Sequence, residues 1–232
     1  MLNPISLAFK LLTLGEDPNQ VLVKLALRKA LLGCESVLDV GCGSSMTMRH
    51  LGVPKPFGVE GYAPACAEAR AKNSHDQLVQ CDVRELSSHF EPGQFDACIA
   101  LDVIEHLTKQ DGLKLMEDME KIAKKRVVFF TPSGFLPQHH TSNDDLQEHL
   151  SGWEPTEMES HGYRVIGLLG PKNWRGEYHR LKRRPAIFWG MASFIVQCLV
   201  SQRHPASAAA ILCVKQLTNP GALKKNHQQP AR

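Results

Sequence analysis

The sequence of 232 residues contains no C-x-x-C pair. Its cysteines (Cys34, Cys42, Cys66, Cys81, Cys98, Cys198 and Cys213) are scattered, so the spacing of a zinc site or a redox dithiol is missing. Several sit in apolar runs, such as Ala97-Cys98-Ile99 and Leu212-Cys213-Val214, where a reduced thiol behaves as a small hydrophobe. An odd, scattered set argues against a disulfide framework and points to a reducing cytoplasm. Charge of one sign is also lacking. Lys and Arg number 27 against 24 Asp and Glu, for a formal net charge of +3. The basic residues are mostly interspersed with acids, which gives no footprint for nucleic acid. The longest apolar stretch, 186–200, falls short of the roughly 20 residues that span a bilayer. The first 14 residues lack the basic n-region and small-residue cleavage site of a signal peptide. A soluble, cytoplasmic protein is expected.

What is present is ordinary for a globular chain: 43% hydrophobic and 22% charged residues. The length is enough to bury a core without staples. Asp17-Pro18-Asn19-Gln20 has the punctuation of a helix start, and Gly33 stands where a helix-ending glycine belongs. Short apolar runs at 36–40, 56–60, 77–81, 95–101 and 126–131 predict strands, with helices between them at 46–51, 64–72, 84–89 and 113–124. Further strands are predicted at 163–169 and 208–216, with a helix near 185–200. Apolar strands alternating with helices predict an α/β fold with a mostly parallel seven-stranded sheet covered on both faces. A single domain over 1–216 is expected: a helical cap to 33, a core over 34–131, an acceptor side over 132–216, then a disordered tail at 217–232.

The strongest local signal is Val37-Leu38-Asp39-Val40-Gly41-Cys42-Gly43-Ser44-Ser45. A strand must end there and turn sharply into a helix while a ligand approaches the main chain. Gly41 and Gly43 permit both the dihedrals and the approach, and the following helix start offers free N–H groups. The second signal is Glu60, followed by Gly61, at the end of the next strand and 21 residues after Asp39. A carboxylate there can accept from vicinal ribose hydroxyls. The dinucleotide fingerprint requires a glycine where Met46 stands, which disfavours NAD, and no G-K-[ST] follows to make a P-loop.

Two further stretches, Gln80-Cys81-Asp82-Val83 and Leu101-Asp102-Val103-Ile104-Glu105-His106-Leu107, complete a pattern. Together these motifs resemble the class I S-adenosylmethionine-dependent methyltransferases, in particular the small-molecule, type 11-like family with its Rossmann-like fold. The resemblance covers about 37–131 and extends more loosely to 165, through His149, Trp153 and Gly162-Tyr163. It implies S-adenosylmethionine as cofactor, with Asp39, Gly41, Cys42 and Gly43 on the methionine part and Glu60 with Gly61 at the ribose. It also implies Asp82 and Val83 at the adenine, and Leu101 and Asp102 in the stretch that closes near the transferring methyl. Ser45 departs from the family, which often has a third glycine there.

For catalysis the candidates are His106 in that closing stretch and His139 with His140 in the polar loop after the fifth strand. A neutral imidazole is a competent base for a hydroxyl. Each also has a structural reading, as a packing or solvated histidine. Glu105 reads as a capping or pocket-wall residue. Asn143-Asp144-Asp145 lacks a compact ligand set, and no metal is expected. The expected partner is a small-molecule acceptor, and no nucleic acid. The basic segment from Lys172 to Arg184, followed by the apolar run to Val200, reads as a core helix behind a solvated connection, or as a contact with an anionic membrane surface. The functional alternatives are a cofactor-binding module without turnover, and a methyltransferase acting on a lipid, protein or nucleic acid.

Overall fold

In the computed structural model, which describes residues 17–138, 148–176 and 179–217, the first helix is α1 (Asn19–Ala30). Asp17 Oδ1 accepts from the Asn19 N–H at 2.9 Å, so the expected aspartate caps an otherwise orphaned donor. The chain then runs through β1 (Ser36–Val40), α2 (Thr47–Leu51), β2 (Lys55–Glu60), α3 (Ala63–Ala71), β3 (Gln77–Gln80) and α4 (Leu86–His89). Next come β4 (Phe95–Leu101), α5 (Lys109–Ile122), β5 (Ala123–Pro132), α6 (Pro155–Ser160), β6 (Arg164–Pro171), α7 (Ala186–Val196) and β7 (Ala208–Gln216). The seven strands form one sheet of order β3-β2-β1-β4-β5-β7-β6. β1, β2 and β3 pair in parallel, and β6 with β7 is antiparallel. The expected α/β, seven-stranded, mostly parallel architecture is found.

By contact density the chain divides into two units. One comprises Gly33–Ile99, Leu115–Val127 and the described residues from Lys215 onward. Its core is built from Val37, Leu38, Val40 and Val59, all without exposed surface, and from the edge-to-face cluster Phe57, Phe90 and Phe95. Each such side chain contributes about 1.5–3 kcal/mol on burial, which makes continuous apolar strands worthwhile where both faces are covered. Lys125 and the Glu35 N–H both meet the Asp96 carboxylate, tying β4's start to the chain before β1.

The other unit comprises the described parts of Met1–Leu32, Ala100–Lys114 and Val128–Val214. Trp153 is completely buried in it, with its indole N–H donating to Ile104 O and Ser151 Oγ. The helix expected at 113–124 begins instead at Lys109 and ends at Ile122. Thr108 and Asp111 form a reciprocal cap: the Asp111 N–H donates to Thr108 Oγ1 and the Thr108 hydroxyl to Asp111 Oδ2. Gly112, a helix breaker by propensity, is held inside the first turn by packing. A Cβ there would stand 2.5 Å from the Trp153 ring.

α7 and the π-helical turn that continues it, Gln197–Ser201, bury polar side chains beside Phe194. Ser193, Gln197 and Ser201 are buried, and Gln197 donates to Gly167 O and accepts from the Gly170 N–H, closing the gap left by the irregular end of β6. Phe188, Ile195, Leu199 and Val200 face outward instead.

Candidate active site

The glycine turn is built as the sequence implies. β1 ends at Val40, and both Gly41 (φ 66°) and Gly43 (φ 53°) take left-handed conformations that a Cβ disfavours. No atom lies within 4 Å of where a Gly43 Cβ would stand, so the main chain is open to a ligand. The Cys42 N–H donates to Val59 O at 2.9 Å, continuing the β1–β2 ladder into the turn. Burial pushes the Cys42 thiol far up, so it stays protonated and packs rather than reacts. Ser45 spends its side chain on the following helix, with Oγ accepting from the Thr47 N–H at 3.1 Å.

Glu60, at the tip of β2, is gripped from two sides. Oε2 accepts from the Gly43 N–H and Oε1 from the Tyr62 N–H, each at 2.7 Å. The carboxylate is therefore fixed beside the glycine turn, and each oxygen keeps a lone pair for a further donor. Gly61 lies close against the end of β3: a Cβ there would be 3.5 Å from Cys81 O. Asp82, after β3, caps the turn Val83–Glu85 and is chelated by Arg84, whose guanidinium stands 2.5 Å from Oδ2. The hydrogen bonds from Arg84 hold the Asp82 carboxyl below its usual range, so it remains an acceptor at neutral pH.

Asp39 is buried in mid-sheet, and its partner is His75. The His75 Nε2 stands 3.1 Å from Asp39 Oδ2, and Nδ1 meets Ser74 Oγ at 2.8 Å. Burial raises the Asp39 carboxyl while the His75 hydrogen bond opposes it. Gly58, opposite Asp39 in the β1–β2 register, leaves the room: a Cβ on it would be 3.0 Å from the His75 ring and 2.9 Å from Cys42 Sγ. Serine, histidine and aspartate in a row suggest a nucleophilic triad, but all are buried and no substrate reaches the hydroxyl. The row is an anchor for the β1 carboxylate.

Leu101, Asp102, Glu105 and His106 belong to the second unit. Asp102 follows β4 in a left-handed conformation (φ 53°), with its N–H donating to Phe130 O at 2.8 Å. Its half-exposed carboxylate lies 3.8 Å from His179 Nε2. Glu105 is more than a wall. Its carboxyl is buried, accepts from the Thr131 hydroxyl at 3.0 Å, and is pushed well up by burial and by the Asp102 charge. Its main-chain oxygen accepts the Leu150 and Ser151 N–H groups. That pairing brings His149 beside His106, with ring centroids 4.8 Å apart. Burial holds the His149 imidazole below its ordinary pKa. His139, His140, Asn143-Asp144-Asp145 and the tail from 218 lie outside the described residues.

Residues 38–131 match the family described as "Methyltransferase domain". The match spans less than half of the chain and marks a likeness to that family over this stretch. No curated protein matches the sequence. Among solved structures, the chain is similar to the methyltransferase domain of bacterial CtHen1-C (14% identity, TM-score 0.56, covering 86% of this chain and 98% of that one). It is also similar to a SAM-dependent methyltransferase from Archaeoglobus fulgidus (17%, TM-score 0.53, covering 85% and 94%). Magnesium protoporphyrin IX methyltransferase from Synechocystis PCC 6803, with bound SAH, matches at 11% and TM-score 0.52, covering 94% and 89%. At these identities the likeness shows a shared fold: that of the class I S-adenosylmethionine-dependent methyltransferases.

Two features of this stretch and its flanks escaped the sequence. His75 sits in a polar turn, Asn73-Ser74-His75-Asp76, and the only hint of its burial was Gly58 in the middle of an apolar strand. The grouping of Glu105, His106 and His149 depends on a main-chain pairing between distant segments, which no local motif announces.

Proposed function

We propose that the chain transfers a methyl group from S-adenosylmethionine to a hydroxyl of a small metabolite or sugar. The observation that carries the cofactor half is the Glu60 carboxylate held by the Gly43 and Tyr62 N–H groups at the lip of an open glycine turn. When bound, S-adenosylmethionine supplies an electrophilic methyl on its sulfonium. Gly41, Cys42 and Gly43 present main chain to its methionine part, with Asp39 behind them. Glu60 and Gly61 accept the ribose, and Asp82 with Val83 meets the adenine amino group. The fit is chemical: two acidic side chains at strand ends and bare main chain match ribose hydroxyls, an exocyclic amine and an amino acid. Leu101 and Asp102 belong to the closing stretch, and His106, His139 and His140 are the candidate bases. Alignment of the nucleophile supplies much of the acceleration. The composition, without a basic footprint or aromatic stacking platform, favours a small acceptor over nucleic acid.

A second reading concerns where the enzyme works. α7 turns Phe188, Ile195, Leu199 and Val200 outward, and exposed Lys182, Arg183, Arg184 and Arg203 flank it. An apolar face between cations fits an anionic membrane surface, with Trp189 stacked under Arg183 at 4.5 Å. Among the described residues no helix is long and apolar enough to cross a membrane.

The test is a panel of sugars, phenols, carboxylates and lipid headgroups incubated with methyl-labelled cofactor. Label in an acid-stable ether, with equimolar S-adenosylhomocysteine, supports the reading. Cofactor binding with no turnover across the panel favours a binding module, and label in amines or carboxylates overturns O-methylation.

A further inference from the structure

We propose that Glu105, His106 and His149 form a site for one divalent transition-metal ion of zinc-like, borderline character. Sequence spacing gave no reason to expect it, and the case is geometric. Among the described residues these three offer one ligand atom each, all within 4.8 Å of one another. Ligands on a single zinc ion at about 2.0–2.2 Å stand somewhat closer, so a small side-chain adjustment completes the set. Two imidazoles and one carboxylate are the donors that borderline divalent ions take in sites with open positions.

The outer contacts are those a metal site needs. His106 Nδ1 lies 3.0 Å from Glu148 O, and His149 Nδ1 lies 2.6 Å from Leu136 O. A carbonyl only accepts, so each Nδ1 carries the proton, which makes Nε2 the ligand nitrogen of each ring in the proposed site. Backbone carbonyls of this kind fix tautomer and ring direction around metal-binding histidines. The Thr131 hydroxyl holds the Glu105 carboxylate in the same way.

Charge supplies an independent reason. Glu105 is 2% exposed, and among the described residues no lysine or arginine pairs with it. A buried carboxylate in that setting is costly unless a cation arrives or a proton stays. Two imidazoles grouped with the carboxylate favour the cation.

If a metal binds, its open positions take an oxygen of the acceptor; this last step rests on the proposed hydroxyl methylation, whereas the metal site does not. His106 then leaves the set of candidate bases.

The test uses the full chain, stripped with chelator and titrated with Co2+ as a spectroscopic probe and Zn2+ by calorimetry. One ion per chain is expected, with visible Co2+ bands of a low-coordinate nitrogen–oxygen site that Zn2+ displaces. His149→Ala and Glu105→Gln should weaken binding by more than about 100-fold, and the milder Thr131→Val by about 10- to 100-fold. Thermal melts and cofactor titrations of each variant separate lost metal from a lost fold or a lost methyltransferase pocket. No ion bound by the wild type, or affinity unchanged in folded His149→Ala, overturns the site.

Discussion

The Asp39 carboxylate and the His75 imidazole, 36 residues apart, meet at 3.1 Å inside the sheet, and Gly58 makes the meeting possible by having no side chain. Removing the imidazole leaves a buried carboxylate without a donor. His75→Ala is expected to cost about 1–3 kcal/mol in urea unfolding, the usual penalty of an orphaned buried acceptor. His75→Asn, which retains a donor, should recover part of it. A loss under about 0.5 kcal/mol for His75→Ala, the range of ordinary surface changes, would contradict the anchoring role.

Asp17 does two jobs, capping α1 and pairing with buried Arg175 at 2.5 Å. Burial works against its charge, but the hydrogen bond and charge of Arg175 outweigh that and hold the carboxyl below its ordinary value. A depressed folded-state pKa means stability present above the unfolded value, about 3.9, and lost as pH falls through the lower folded value. Asp17→Asn should therefore cost about 1–3 kcal/mol at pH 7. The gap to wild type should close as the pH drops below about 4. Urea midpoints across that range check it, and a gap independent of pH would refute the linkage.

The outward apolar face of α7 makes a separate prediction. Phe188 is 62% exposed and Leu199 67%, so replacing both with serine removes little core packing. The wild type is expected to float with phosphatidylserine vesicles at low salt and to release as salt screens the flanking cations. Phe188→Ser with Leu199→Ser should abolish flotation while leaving the melting temperature within a few degrees. A wild type that ignores anionic vesicles would rule this face out as a membrane contact.

Much of the fold was legible in the sequence because it rests on local rules. Apolar runs marked every strand, and Asp17 marked the start of α1, whereas α1 ends at Ala30 with its cap at Leu31, two residues before Gly33. The glycine turn and Glu60 were legible for the same reason: dihedral demand and strand-end position are written locally. What could not be read was long-range. The reason for Gly112 inside the first turn of α5 is one such case, because the Trp153 ring that requires it lies 41 residues away. The apolar composition of α7 does not show which of its residues face the sheet. The buried polar residues Ser193, Gln197 and Ser201 of α7 and the turn after it declare themselves only against the backbone of β6, where Gln197 completes the hydrogen bonding. Glu105 reads from sequence as a capping or pocket-wall residue, and the pairing of its carbonyl with the Leu150 and Ser151 N–H groups is long-range.

The ribose assignment can be measured directly. Calorimetric titration of S-adenosylhomocysteine into the wild type and into Glu60→Ala isolates the carboxylate that Gly43 and Tyr62 hold in place. Losing a charged hydrogen-bond partner is worth about 1–3 kcal/mol, or roughly 5- to 150-fold in affinity, and that is the weakening expected. Equal affinity in both proteins, or a wild type that takes up no nucleoside at all, would contradict a methyl donor bound at this turn.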